Sequence, residues 1–181
     1  MTTFDLLRHT LMYLVVPLWL AAGFADYLCH RAAGIEATSG PKESLLHVAQ
    51  LGEAGLPLLA ALFLQVNAGV ILFMVACLVV HQATAVWDVR YANRTRRVSP
   101  TEQHVHGMLE MLPFMGVVVV SIMYWPAVLS IFGVGIASFA PALKQPPLPA
   151  SYLACVLIAV VCLGIVPYGE ELLRTLRRRH D

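Results

Sequence analysis

The chain has 181 residues, 59% hydrophobic and 13% charged, with a formal net charge of +1 and a mean hydropathy of +0.72. An ordinary soluble domain carries about a quarter charged residues, so this composition excludes one, and the near-zero net charge argues against a nucleic-acid partner. Runs 111–140 and 150–167 contain no Asp, Glu, Lys or Arg, which predicts an all-α integral membrane helical bundle.

The first span is expected at about 8–30. Its apolar run, Leu11–Phe24, has only Arg8 as a basic residue nearby, and it continues into Asp26, Tyr27 and His30 without a small-residue cleavage site. It therefore reads as a retained span and not as a signal peptide. Asp26 and His30 are four residues apart and share a helix face. A linker over 31–42 follows, with Gly40-Pro41 as the break. The second span, about 43–65, opens on Glu43 and His47, again four apart, and Gln50 and Glu53 continue that side. Pro57 is expected to kink it. After a tight turn near 65–69, the third span, about 70–92, carries His81 and Asp88 on one face.

The connection to the fourth span is short. Ser99-Pro100-Thr101-Glu102 has the form of a capping box, with Ser99 as N-cap, Pro100 at N1 and Glu102 at N3. That reading assigns Glu102 to helix initiation and not to a site. The span, about 100–125, begins with His104, His106 and Glu110 and ends on Tyr124-Trp125-Pro126, residues typical of a membrane interface. Residues 127–149 are apolar and Gly-rich, then Pro-rich, and read as a partly buried loop or a short re-entrant piece. The fifth span, about 150–169, leads into a charged tail, EELLRTLRRRHD. No repeat divides the chain, so residues 1–181 form one domain. Cys29, Cys77, Cys155 and Cys162 are scattered without a CxxC pair and read as small core residues.

Basic residues set the expected orientation. Arg31, Lys42, Arg90, Arg94, Arg96, Arg97, Arg174, Arg177, Arg178 and Arg179 fall on one side of these spans, and only Arg8 and Lys144 on the other. The richer side is expected to be cytoplasmic, with the N-terminus outside and the C-terminus inside, in a bacterial-type inner membrane. Hydropathy and basic residues alone thereby place Asp26, His30, Glu43, His47, His81, Asp88, His104, His106 and Glu110 at one membrane face, where four helix ends converge. Ionisable groups inside spans are costly and usually functional. Three or four ligands satisfy one zinc ion, whereas this larger mixture of imidazole and carboxylate suits a dinuclear site in a bundle core. Two metal ions are expected, iron first, with manganese or zinc as alternatives. Gln50 and Glu53 are expected to support them as second-layer groups or a proton relay. His104 and His106 lie about 200° apart on an ideal helix, so both can bind only if that turn is distorted.

Over residues 20–110 this layout resembles the integral-membrane diiron hydroxylases and desaturases, although the HxxxH and HxxHH clusters of those families, and the ExxH spacing of soluble diiron carboxylate bundles, are absent. The resemblance implies O2-dependent hydroxylation or desaturation of a lipid-like substrate, and the basic rim is expected to bind an anionic headgroup or an acidic electron-donor protein. Two other readings use the same residues. One is a b-type haem electron-transfer subunit, which leaves the carboxylates unexplained. The other is a metal or proton transporter, which requires polar residues continuing to the opposite face.

Overall fold

The computed structural model describes residues 1–178; Arg179, used above for orientation, lies beyond the described residues, as do His180 and Asp181. Six helices follow in order: α1 Thr3–Ala33, α2 Pro41–Phe63, α3 Ala68–Thr95, α4 Pro100–Met123, the short α5 Trp125–Ile131, and α6 Ala150–Arg178. All but α5 are long and apolar enough to cross a membrane. The five-span all-α architecture expected from hydropathy is the architecture found.

Local chemistry sets the helix boundaries. The Thr2 hydroxyl accepts from the Asp5 N–H while Asp5 reaches back to Thr2, which starts α1 eight residues before its apolar run. Gly34 ends α1 in the left-handed conformation at φ +63°. Asn67 caps α3 by accepting from the Val70 N–H, and Ser99 caps α4 by accepting from the Glu102 N–H. In α1 and α6 one turn widens, at Leu11–Val15 and Val161–Ile165. Each wide turn contains the carbonyl four residues before a proline, Pro17 or Pro167, where a regular turn would drive the ring into that carbonyl. Pro57 lies buried within a continuous α2.

Helix α2 packs along α3, α1 along α4, and α6 against both α1 and α2. The core is small aliphatic, with Val15, Ala22 and Leu112 in one cluster and Ala60, Val70, Met74 and Val120 in another. The distribution of polarity is the reverse of a soluble fold. Leu56, Val79, Ile122 and Ile158 are exposed, while Asp26, His30, Glu43, Glu102 and Glu171 are buried. An apolar exterior over helices that satisfy their own backbone groups is what a bilayer requires.

Segment 127–149 is α5 followed by a mostly exposed loop folded across the α2–α3 turn. The Lys144 N–H donates to the Phe63 carbonyl and the Gln65 N–H to that of Ala142, both at 2.8 Å. Gly69 permits this crossing, since a Cβ there would stand 2.8 Å from the Phe139 carbonyl oxygen. The largest departure from expectation is α6, which continues nine residues past 169 to Arg178. Its polar tail is not a free juxtamembrane segment: Tyr168, Glu171 and Thr175 are buried against the other helices.

Candidate metal centre

Helical spacing places the site residues before any tertiary contact does. Asp26 and His30 share a face of α1, and Glu43 and His47 share a face of α2. Glu102 and His106 do so on α4, and Tyr168 and Glu171 on α6. Asp88 comes from α3, and all nine are buried.

Glu171 organises the centre. Its two carboxylate oxygens take different histidines, Oε2 at 3.1 Å from His30 Nδ1 and Oε1 at 2.7 Å from His47 Nδ1. An ionised carboxylate only accepts, so both Nδ1 atoms carry a hydrogen, and in the neutral imidazole each Nε2 then keeps a lone pair. The two rings stack with centroids 4.1 Å apart and planes within 10°. Their Nε2 atoms turn toward the other carboxylates: His30 Nε2 is 3.4 Å from Asp26 Oδ1 and 3.4 Å from Glu102 Oε1, and His47 Nε2 is 3.3 Å from Asp88 Oδ2. His106 Nε2 approaches Asp26 Oδ1 at 2.9 Å.

These contacts are close, but they lack hydrogen-bond alignment. Among the described residues, Asp26 Oδ1, His30 Nε2, His47 Nε2, Asp88 Oδ1 and His106 Nε2 are buried without a hydrogen-bond partner. Donor atoms of Asp26, His30 and His106 lie within 4.8 Å of one another, and so do those of His30, Glu43 and His47. No protein-family model, curated protein or solved structure matches this chain. The chemistry of the site therefore rests on its own residues.

Around this core stands a supporting layer. Gln50 Nε2 donates to Asp88 Oδ2 at 3.2 Å. The Tyr168 hydroxyl is 3.2 Å from Asp26 Oδ2 and 3.0 Å from the Gly23 carbonyl. Arg96, in the α3–α4 connection, lies between Glu43 and Glu102 and bonds both carboxylates through its guanidinium. Burial opposes its charge, yet the hydrogen bonds and charges of Glu102 and Glu43 outweigh that and raise its pKa above the ordinary arginine value.

Several sequence expectations change here. Glu102 does more than initiate a helix: its N–H is capped by Ser99, but its carboxylate turns inward to Arg96 and His30 instead of closing the capping box. Glu43 lies within reach of His30 and His47, and Arg96 claims its carboxylate. His104 is exposed and outside the cluster; it sits two residues from the buried His106 and so on the opposite side of an undistorted α4. His81 and Asp88 are both buried, but His81 Nε2 lies 3.3 Å from the Leu109 carbonyl and its Nδ1 3.7 Å from Glu53 Oε2, one layer away from the stacked histidines. Glu53 also accepts from the Thr84 hydroxyl at 2.9 Å. Glu110 is half-buried and lines the small cavity beside His106. Sequence reading missed Glu171, Tyr168 and Arg96 altogether.

Two cavities meet at the site. The smaller, of about 40 Å³, is lined by Asp26, His47, His81, Asp88, His106 and Tyr168 together with aliphatic side chains such as Leu20, Leu51 and Leu163. A second, of about 160 Å³, runs away from it between aliphatic side chains including Val15, Pro57, Met74 and Leu112. Trp19 and His81 line both.

Proposed function

We propose that this chain is a membrane-embedded oxidoreductase that holds a dinuclear metal centre, iron first, and oxidises a lipid-like chain. The observation that carries the reading is the set of five buried, unpartnered donor atoms on Asp26, His30, His47, Asp88 and His106. Each such atom left unsatisfied costs about 1–3 kcal/mol, so a cluster of five calls for a shared partner. Ligands about 2.1 Å from a common ion stand roughly 3–3.5 Å apart, and the observed contacts of 2.9, 3.3 and 3.4 Å fall close to that spacing. Glu171 supports the same reading, since a carboxylate on Nδ1 is the usual way to orient an imidazole toward a metal. The stacked rings, 4.1 Å apart, bring two imidazoles side by side at one place.

In this reading the five donors hold the ions, and a bound redox-active metal supplies the oxidising chemistry. The protein's own residues do the rest. Glu171 fixes the tautomers of His30 and His47, Gln50 and Tyr168 orient Asp88 and Asp26, and the aliphatic cavity excludes water. His81 lines both cavities and Glu53, 3.7 Å from it, lines the second, and in this reading the pair moves a proton between them. The smaller cavity, at about 40 Å³, suits ions and small ligands better than a haem macrocycle. The apolar lining of the second cavity favours a hydrocarbon substrate over a transported ion. Exposed Arg90, Arg94, Arg97 and Arg177 at this end would receive an acidic electron donor.

Elemental analysis of protein expressed with ample iron should give about two metal ions per chain, the number that this donor set supports. Binding of a single zinc, or of no metal by folded protein, would overturn the dinuclear reading. The basic-residue asymmetry further predicts a cytoplasmic C-terminal reporter and an external N-terminal one. Reporters on the same side of the membrane would contradict an odd number of spans.

A further inference from the structure

The apolar cavity ends in charge. From Trp19 and His81 it passes between α1, α2 and α4 to the opposite end of the bundle, where Arg8, Lys144, Tyr124 and Tyr152 line it. Arg8 and Trp19 are eleven residues apart on α1, roughly 16 Å along a helix that rises 1.5 Å per residue. Lys144 is held in place by its backbone, through the N–H bond to the Phe63 carbonyl. Its half-buried ammonium has no carboxylate partner among the described residues, whereas Arg8 is paired with Asp5 at 3.2 Å. Burial, together with the nearby Arg8 charge, lowers the Lys144 pKa from its ordinary value. Two cations at the mouth of an apolar cavity repel each other unless an anion completes the arrangement.

We infer that this cavity binds a single-chain anionic amphiphile, its headgroup on Lys144 and Arg8 and its hydrocarbon tail reaching toward Trp19 and His81. The inference deepens the reading given above by naming the substrate class, and it rests on that reading only for what happens to the tail. The headgroup then lies at the opposite membrane face from the metal donors, and the span between them acts as a ruler along the chain. A cavity of about 160 Å³ favours one tail over the two of a phospholipid, and the charge at its mouth favours a carboxylate over a neutral alcohol.

The test is equilibrium binding of tetradecanoate and of tetradecan-1-ol to the full chain in phosphatidylcholine nanodiscs at pH 8. The acid should bind about tenfold more tightly than the alcohol, the scale of a charge-assisted contact. Lys144→Gln keeps the backbone bond to Phe63 and should bring the acid down to the affinity of the alcohol. Gly116 lines the cavity and has open space where a Cβ would stand. Gly116→Leu improves helix propensity, fills the bore, and should weaken both probes. Equal affinities for acid and alcohol, or a Lys144→Gln variant that binds like the parent, would overturn the inference. His106→Ala separates the two readings: tetradecanoate retained by metal-depleted protein supports the amphiphile site whatever the fate of the oxidation chemistry.

Discussion

Glu171→Gln should lower bound metal in purified protein by about 10–100-fold, the range for losing an outer carboxylate that orients ligating histidines. The parent carboxylate accepts from both His30 Nδ1 and His47 Nδ1. Glutamine has one accepting oxygen, and its amide nitrogen would face the second Nδ1–H, donor against donor. That ring relaxes by moving its hydrogen to Nε2, which removes a lone pair from the centre, or by rotating away from its stacked partner. Either way, a side chain that is not itself one of the five donors disturbs one of them. Glu170→Gln is the matched control. Glu170 is adjacent in sequence but bonds the Tyr27 hydroxyl, Arg31 and Arg174 at the periphery, so its loss should leave metal content unchanged. Full metal occupancy in folded Glu171→Gln protein would remove the histidine-anchoring role assigned to Glu171.

How much of this was legible in the sequence follows from where each residue gets its environment. The spans were legible because hydropathy acts over a whole helix, and Asp26/His30 and Glu43/His47 because a four-residue spacing fixes a shared face. Glu171 was not, because it follows the apolar run and opens a tail of alternating charge that reads as solvated. The available signal was register: Tyr168, Glu171 and Thr175 lie three and four residues apart, on one face of a continued helix. Arg96 was hidden differently. It sits in the run Arg94, Thr95, Arg96, Arg97, where positive charge is already explained by membrane orientation, and only the tertiary fold buries it while its neighbours remain exposed. Glu102 was misassigned for a related reason. A capping box accounts for a glutamate at N3 locally, and no local pattern shows that a buried guanidinium competes for its carboxylate.

That competition gives the largest expected effect on stability. The Glu43 and Glu102 side chains are 0% and 1% exposed, and the Arg96 side chain that bridges them is 3% exposed. Removing one partner of a buried ion pair costs about 3–5 kcal/mol, because the remaining charge is desolvated and uncompensated. Here two carboxylates of like charge are left facing each other, so Arg96→Met should reach the upper part of that range and lower the unfolding midpoint of detergent-solubilised protein by many degrees. Arg96→Lys should fall between parent and Met, since an ammonium supplies the charge but not the planar fork that engages two carboxylates together. The deciding variant is the compensated one. With Glu43→Gln and Glu102→Gln added to Arg96→Met, no buried charge is left stranded at the clamp, and much of the lost stability should return. The single Glu102→Gln variant distinguishes the clamp from the cap. Its backbone N–H still bonds Ser99, so a purely capping role predicts parental stability, while the clamp predicts a clear loss as the Arg96 charge loses one of its two partners. An Arg96→Met protein that unfolds like the parent would show that this arginine leaves the carboxylates to another cation, which in this cluster points to a metal ion on Glu43 and Glu102 themselves.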